Sequence, residues 1–132
     1  MIDRGVDIAL LILRIVFGGF MIYGHGWGKI GRLFGGEEIS FADPFGIGPA
    51  ASLGLVVFAE VICSLCIMLG LFTRWAVIPL IVAMLVAYLY VHFDDPFGRQ
   101  EKALMYLASY FALFFAGSGH YSLDRLINSK RA

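Results

Sequence analysis

The sequence predicts an all-α integral membrane protein, an up-down-up-down bundle of four transmembrane helices. Three observations carry that expectation. The chain of 132 residues is 60% apolar and only 15% charged, whereas an ordinary soluble domain carries roughly 25% charged residues. Four apolar stretches are long enough to cross a hydrocarbon core, which takes about 20 helical residues. No period-2 alternation of the kind a transmembrane barrel needs runs through them, and backbone groups in lipid must be paired within the segment, so the spans are helices. The same numbers exclude other classes. Disordered chains are apolar-poor and carry net charge, and a formal charge of zero removes the electrostatic case for nucleic-acid binding.

Residues 1–132 read as a single transmembrane domain with spans at about 8–27, 50–71, 75–93 and 103–119. The first contains one charge, Arg14, and the second contains one, Glu60; the other two contain none. The first span exceeds the usual ~7–15 residue core of a cleaved signal and lacks a small-x-small site after it. Pro79 removes one backbone hydrogen bond inside the third span. Trp27, Trp75, Tyr90, Phe93 and Tyr121 cluster at span ends, as an interfacial belt should.

Connection lengths set the order. The link Phe72-Thr73-Arg74 is very short, so spans two and three pack as an antiparallel hairpin. We call the side holding both termini side A and the opposite side B. Basic residues number five on side A (Arg4, Arg74, Arg125, Lys130, Arg131) and four on side B (Lys29, Arg32, Arg99, Lys102). The positive-inside rule then favours cytoplasmic termini. Both side-B links contain Asp-Pro-Phe-Gly, at Asp43 to Gly46 and at Asp95 to Gly98, a pattern that suits a type I turn.

A charge at mid-membrane costs at least about 2.5–3.5 kcal/mol on the insertion scale, so Arg14 and Glu60 need reasons. Counted at 1.5 Å per residue, both lie inside the same face, at depths of roughly 9 and 16 Å from side A. The expectation is a buried ion pair, or a proton-exchanging pair, at the bottom of a cavity open to side A. The bland alternatives are an Arg14 that snorkels to headgroups and a protonated Glu60 that bonds a neighbouring helix. Arg14, Gly18, Met21 and His25 share one stripe of the first span, and Val56, Glu60, Cys63, Ser64 and Ile67 share a face of the second. Tyr88, His92, Tyr106, Ser109 and Tyr110 offer polar contacts from the remaining spans.

Cys63 and Cys66 form the only C-x-x-C. Reactive thiols of that spacing sit at exposed helix starts, and these two lie in a membrane-embedded helix, so buried structural thiols are the expected reading over redox chemistry. His25, His92 and His120 sit near span ends without tight ligand spacing, so no metal site is expected. No haem-attachment, iron–sulfur, flavin or nucleotide motif is present. Electrons passing through this protein would need another subunit or a diffusible carrier to hold them.

The run Leu13-Arg14-Ile15-Val16-Phe17-Gly18-Gly19-Phe20, continuing through His25-Gly26 to Lys29, resembles the opening signature of the DoxX family. Glu60 followed by Gly70-Leu71-Phe72-Thr73-Arg74 is similar to its second-span pattern, and Gly117-Ser118-Gly119-His120-Tyr121-Ser122-Leu123-Asp124 is similar to its closing segment. The resemblance implies a four-helix protein of a bacterial or archaeal cytoplasmic (inner) membrane, with Arg14, Glu60, Arg74 and Asp124 at motif positions. It also implies an association with quinone-linked sulfur oxidation or with thiol and oxidative-stress systems. Arg74 and Asp124 both fall on side A, where pairing would close that end of the bundle.

Three functions compete on these residues. The first is a quinone-interacting or redox-associated membrane subunit, in which Glu60 exchanges protons and Arg14 stabilises anionic oxygen. In this reading Gly18, His25, Ser64, Tyr88, Tyr106 and Tyr110 line the quinone site, and the partners are the lipid bilayer, a redox subunit or a second copy of the chain. The second is a non-catalytic assembly subunit whose ion pair fixes helix register. The third is a small transporter or binder of a lipid-soluble ligand, for which four short spans are few unless the chain dimerises. The space beside Glu60 separates them: an elongated cavity favours a lipid-soluble ligand, and close packing favours structure.

Overall fold

Asp3 starts the first helix, its side chain accepting from the N–H groups of Gly5 at 3.0 Å and Val6 at 3.3 Å, which satisfies donors that have no intrahelical partner. The computed structural model describes residues 3–131, with side chains through Asn128; Lys130 and Arg131, two of the side-A cations, fall outside the described side chains. Helix α1 runs Arg4–Phe34, α2 Pro49–Leu69 and α3 Thr73–Val91. Helix α4 follows at Phe97–Ala116, and a short α5 at Leu123–Arg131 closes the chain. All described regular elements are helical.

Three helices, α1 to α3, are long and apolar enough to cross a membrane. In α4 the first turns carry Arg99, Glu101 and Lys102, which leaves Ala103 to Ala116 as an apolar stretch of roughly 21 Å. Contacts run antiparallel between neighbours. Along α1 and α2, Gly18 faces Ser64 and Gly26 faces Glu60; along α3 and α4, Arg74 reaches the Phe115 carbonyl while Gln100 reaches that of His92. Met21, Ile67, Val77, Leu80, Tyr110 and Leu113 fill the interior. Ile8, Ile12, Ile15, Phe20, Leu65 and Phe115 point outward, the arrangement a lipid solvent permits and water would not.

The first helix is much longer than the span read from the sequence. It continues past Trp27 to Phe34 through a wide π-type turn at Ile22–Gly26, because nothing between Gly24 and Lys29 breaks a helix and glycine only weakens one. A second wide turn, Phe58–Cys63, contains Glu60. The two face each other. Gly26 makes the close approach possible: a Cβ there would lie 2.7 Å from Val61 Cγ2 and 3.2 Å from the Glu60 carbonyl. Gly18 does the same two turns away, where a Cβ would lie 2.9 Å from the Ser64 carbonyl.

Side A is sealed by the hairpin and the closing segment. Gly70 ends α2 at φ +70, with Leu71 N–H on the Cys66 carbonyl at 2.8 Å and Gly70 N–H on that of Ile67 at 3.0 Å, the paired bonds of a left-handed glycine cap. Asp124 then accepts from the N–H groups of Phe72 at 2.8 Å and Thr73 at 3.3 Å, capping α3. Asp7 accepts from His120 N–H at 3.1 Å and faces its Nδ1 at 3.0 Å. The expected Arg74–Asp124 pair does not form. The carboxylate is held by unpaired helix-start N–H groups, and Arg74 turns to the Phe115 carbonyl at 3.3 Å.

Side B is looser. The first turns of α2 pack on the end of α1, not on α3, so α2 and α3 part towards side B. Asp43 organises the loop above this gap, accepting from Ile47 N–H at 3.0 Å, Gly48 N–H at 2.9 Å and Ser52 Oγ at 2.9 Å. The second Asp-Pro-Phe-Gly behaves differently: Phe97 and Gly98 are already helical, with Pro96 at the cap of α4, since Pro is pre-organised for a helix start.

Candidate functional site

Where α2 and α3 diverge they leave a groove of about 820 Å³. Its walls are Leu55, Phe58, Ile78 and Val82, and its inner end is closed by Glu60 and Lys29, with Arg32 and His92 near the rim. The four apolar wall residues are also among the outward-facing ones. The groove therefore meets the lipid-facing surface sideways, and its charged end lies near mid-helix, roughly 16 Å from Pro49.

Lys29 Nζ lies 2.8 Å from each carboxylate oxygen of Glu60. The Glu60 side chain is 4% exposed and that of Lys29 22%, so the ammonium is the outer partner and the carboxylate the inner one. Such a pair survives burial only because each charge compensates the other and both oxygens are bonded. It sits in the groove wall, where an incoming polar group would meet it.

The expected Arg14–Glu60 pair is absent. Arg14 is 1% exposed and spends its guanidinium on carbonyls: Nε on Ile67 at 3.0 Å, Nη2 on Met68 at 3.2 Å, and Nη1 on Ser118 at 2.7 Å and Tyr121 at 3.0 Å. Arg14 is thus level with Ile67 and Met68, roughly 11 Å along the axis from Glu60. The last carbonyls of a helix lack intrahelical donors, and a five-donor guanidinium satisfies several at once. Arg14 is a clasp, binding the end of α2 to the closing segment. The cavity opens towards side B and lipid, not towards side A.

Of the residues expected to line a ring site, none borders the groove. Tyr106 stacks edge-on against Phe17 at 5.5 Å and His25 at 5.6 Å, on the α1–α4 side of the bundle. Tyr110 is fully buried and its hydroxyl donates to the Phe17 carbonyl at 3.3 Å. Ser64 is fully buried beside the Tyr110 hydroxyl, and the space at Gly18 is filled by Met68. Tyr88 is half-buried on α3. Cys63 and Cys66 are both free thiols, the first buried. No cluster of three or more metal-ligating side chains occurs among the described residues. Sequence reading missed Lys29, although a signal existed: it lies one turn beyond His25 on the stripe that starts at Arg14, provided the helix continues.

The loop above the groove is tied down on both sides. Arg32 donates to the Ser40 carbonyl at 2.8 Å and lies over the Phe41 ring at 5.5 Å. Burial pushes the Asp43 carboxyl up, but the Ser52 hydroxyl and the N–H groups of Gly48, Ile47 and Gly46 outweigh it and hold the carboxyl below its ordinary value. Hydrogen bonds to the charged form are the dominant cause.

The chain is similar to Inner membrane protein YqjF of Escherichia coli (strain K12), with 30% identity over 135 residues that cover 97% of this chain and 95% of the relative. No solved structure matches it. The DoxX family pattern matches residues 9–93, a stretch that takes in most of α1 and all of α2 and α3 with the groove between them. This protein belongs to the DoxX family.

Proposed function

We propose that this chain is a multi-pass protein of the bacterial inner membrane that binds a lipid-soluble carrier of the quinone class in the α2–α3 groove. The observation that carries the reading is the Lys29–Glu60 pair at the closed end of an apolar groove. In this reading all four long helices cross the bilayer and both termini are cytoplasmic. The carrier reaches the groove laterally between Leu55, Phe58, Ile78 and Val82, so its apolar tail stays in lipid while its head meets the pair.

A quinone supplies two-electron, two-proton chemistry, and a partner subunit supplies or takes the electrons. The chain's own residues manage charge and protons. Glu60 holds and releases a proton at its carboxylate, and Lys29 offers an ammonium hydrogen to an oxygen that gains negative charge. Arg14 takes no part in this, because its donors are committed to carbonyls. Low local dielectric strengthens each of these contacts.

The test is the lipid-soluble content of protein extracted gently from its native membrane. Native mass spectrometry and solvent extraction should find a quinone at near-stoichiometric amount, several-fold depleted in Glu60→Gln and in the groove-filling Val82→Trp. Equal content in both variants and the parent would overturn the reading.

A further inference from the structure

At the opposite end of the bundle a second recess, about 370 Å³, lies between the start of α3 and the closing segment. Arg74, Asp124, Thr73, Trp75, Ser118 and Asn128 border it. Two opposite charges thus share one small space, yet they are not within ion-pair distance of each other. Each keeps unspent bonding capacity. Arg74 uses a single donor, on the Phe115 carbonyl at 3.3 Å, out of the five a guanidinium has. The two oxygens of Asp124 take one N–H each, at 2.8 and 3.3 Å, which leaves a lone pair on both.

Two further features point to a ligand. Thr73 is 1% exposed and its hydroxyl oxygen has no partner, an expensive state for a buried polar atom. Thr73 itself borders the recess. The guanidinium of Arg74 is also seated: it lies over Gly117, where a Cβ would be 3.3 Å from Nη2 and 3.4 Å from Nε. Gly117 has φ +80, so both its conformation and its missing side chain serve this position.

We infer that this recess binds a zwitterion carrying a phosphate and a primary ammonium, the chemistry of a phosphoethanolamine headgroup. The phosphate meets Arg74 and the Thr73 hydroxyl, and the ammonium meets Asp124. A net anion would gain Arg74 but face the Asp124 carboxylate; a net cation would face the reverse. Only a dipolar head uses both charges. The setting favours a membrane lipid as its source, because Trp75 is 75% exposed beside the recess and tryptophan marks the headgroup level.

The full chain is purified in mild detergent, supplied with equal amounts of phosphatidylethanolamine and phosphatidylglycerol, and weighed by native mass spectrometry. The wild type should retain the first several-fold more than the second. Arg74→Gln should lower retention of both lipids. The isosteric Thr73→Val, which keeps the helix start, should likewise lower retention of both lipids, since both carry the phosphate. Asp124→Asn should abolish the preference by admitting phosphatidylglycerol. Soluble glycerophosphoethanolamine is added as a competitor: displacement of the lipid assigns the site to the free headgroup as well, and its failure assigns the site to the bilayer lipid. Equal retention of the two lipids by the wild type, retention unchanged in both Arg74→Gln and Thr73→Val, or a preference that survives Asp124→Asn would overturn the assignment.

Discussion

Lys29 and Glu60 meet at 2.8 Å through both carboxylate oxygens, and they do so from opposite sides of a glycine contact. Gly26 lies against the Glu60 backbone, which fixes the height of α1 on α2 and thereby delivers Lys29 less than one turn later. A membrane carboxylate is costly alone; the glycine seam is what brings it a counter-ion.

Removing one partner of this pair leaves an uncompensated buried charge, which costs about 3–5 kcal/mol. Lys29→Met and Glu60→Leu should therefore each lower thermal stability in detergent sharply. The double variant Lys29→Met with Glu60→Leu should recover most of the loss, since an apolar pair has no charge to compensate. Additive losses in the double variant would show that the two residues act separately.

The glycines of α1 divide into two kinds. Gly18→Ala and Gly26→Ala place a methyl 2.9 Å or closer to α2 atoms, and overpacking of that sort costs about 1–3 kcal/mol. Gly24→Ala and Gly28→Ala meet nothing within 4 Å and should be neutral or stabilising by up to roughly 1 kcal/mol, the helix-propensity difference. Thermal unfolding of the four variants under one condition checks the contrast.

Much of this arrangement was readable in the sequence. Apolar length gives four spans, of which the first three coincide with helices long and apolar enough to cross a membrane, and Arg14 and Glu60 stand out because each is a charge where charges are costly. Their partners were not readable. Pairing Arg14 with Glu60 assumes that opposite charges seek each other, whereas carbonyls at the end of α2 and in the closing segment compete for the guanidinium and win with two bonds each. Lys29 was placed in a loop because a glycine-rich stretch reads as a helix end, while in the bundle the helix runs on through it and Gly26 is a contact point. The groove was invisible for a different reason: it arises from the divergence of α2 and α3, and no local pattern encodes an interhelical distance.

Arg14 holds the end of α2 and the closing segment together through backbone carbonyls alone, so its loss should loosen side A while leaving the groove intact. Arg14→Lys keeps the charge but offers one compact point instead of a planar fork, and should rescue little of the defect of Arg14→Ala. Maleimide labelling of Ser122→Cys, at a position now buried, should rise several-fold in both backgrounds. Labelling that stays at the parental rate would remove the clasp assignment.

The loop above the groove depends on an ionised Asp43. Its carboxyl is held below the ordinary value, so the folded loop binds this proton less readily than an unfolded one does. The resulting stabilisation is fully present above the usual aspartate value of about 3.9 and is lost as pH falls through the lower folded value. Hydrogen exchange of the Ile47 and Gly48 amides, which donate to this carboxylate, should stay slow down to about pH 4 and quicken below it, after correction for intrinsic rates. Asp43→Asn keeps one acceptor oxygen but cannot ionise, so those amides should exchange faster than in the parent near neutral pH and show no acid transition. An acid transition persisting in Asp43→Asn would place the responsible proton on another residue.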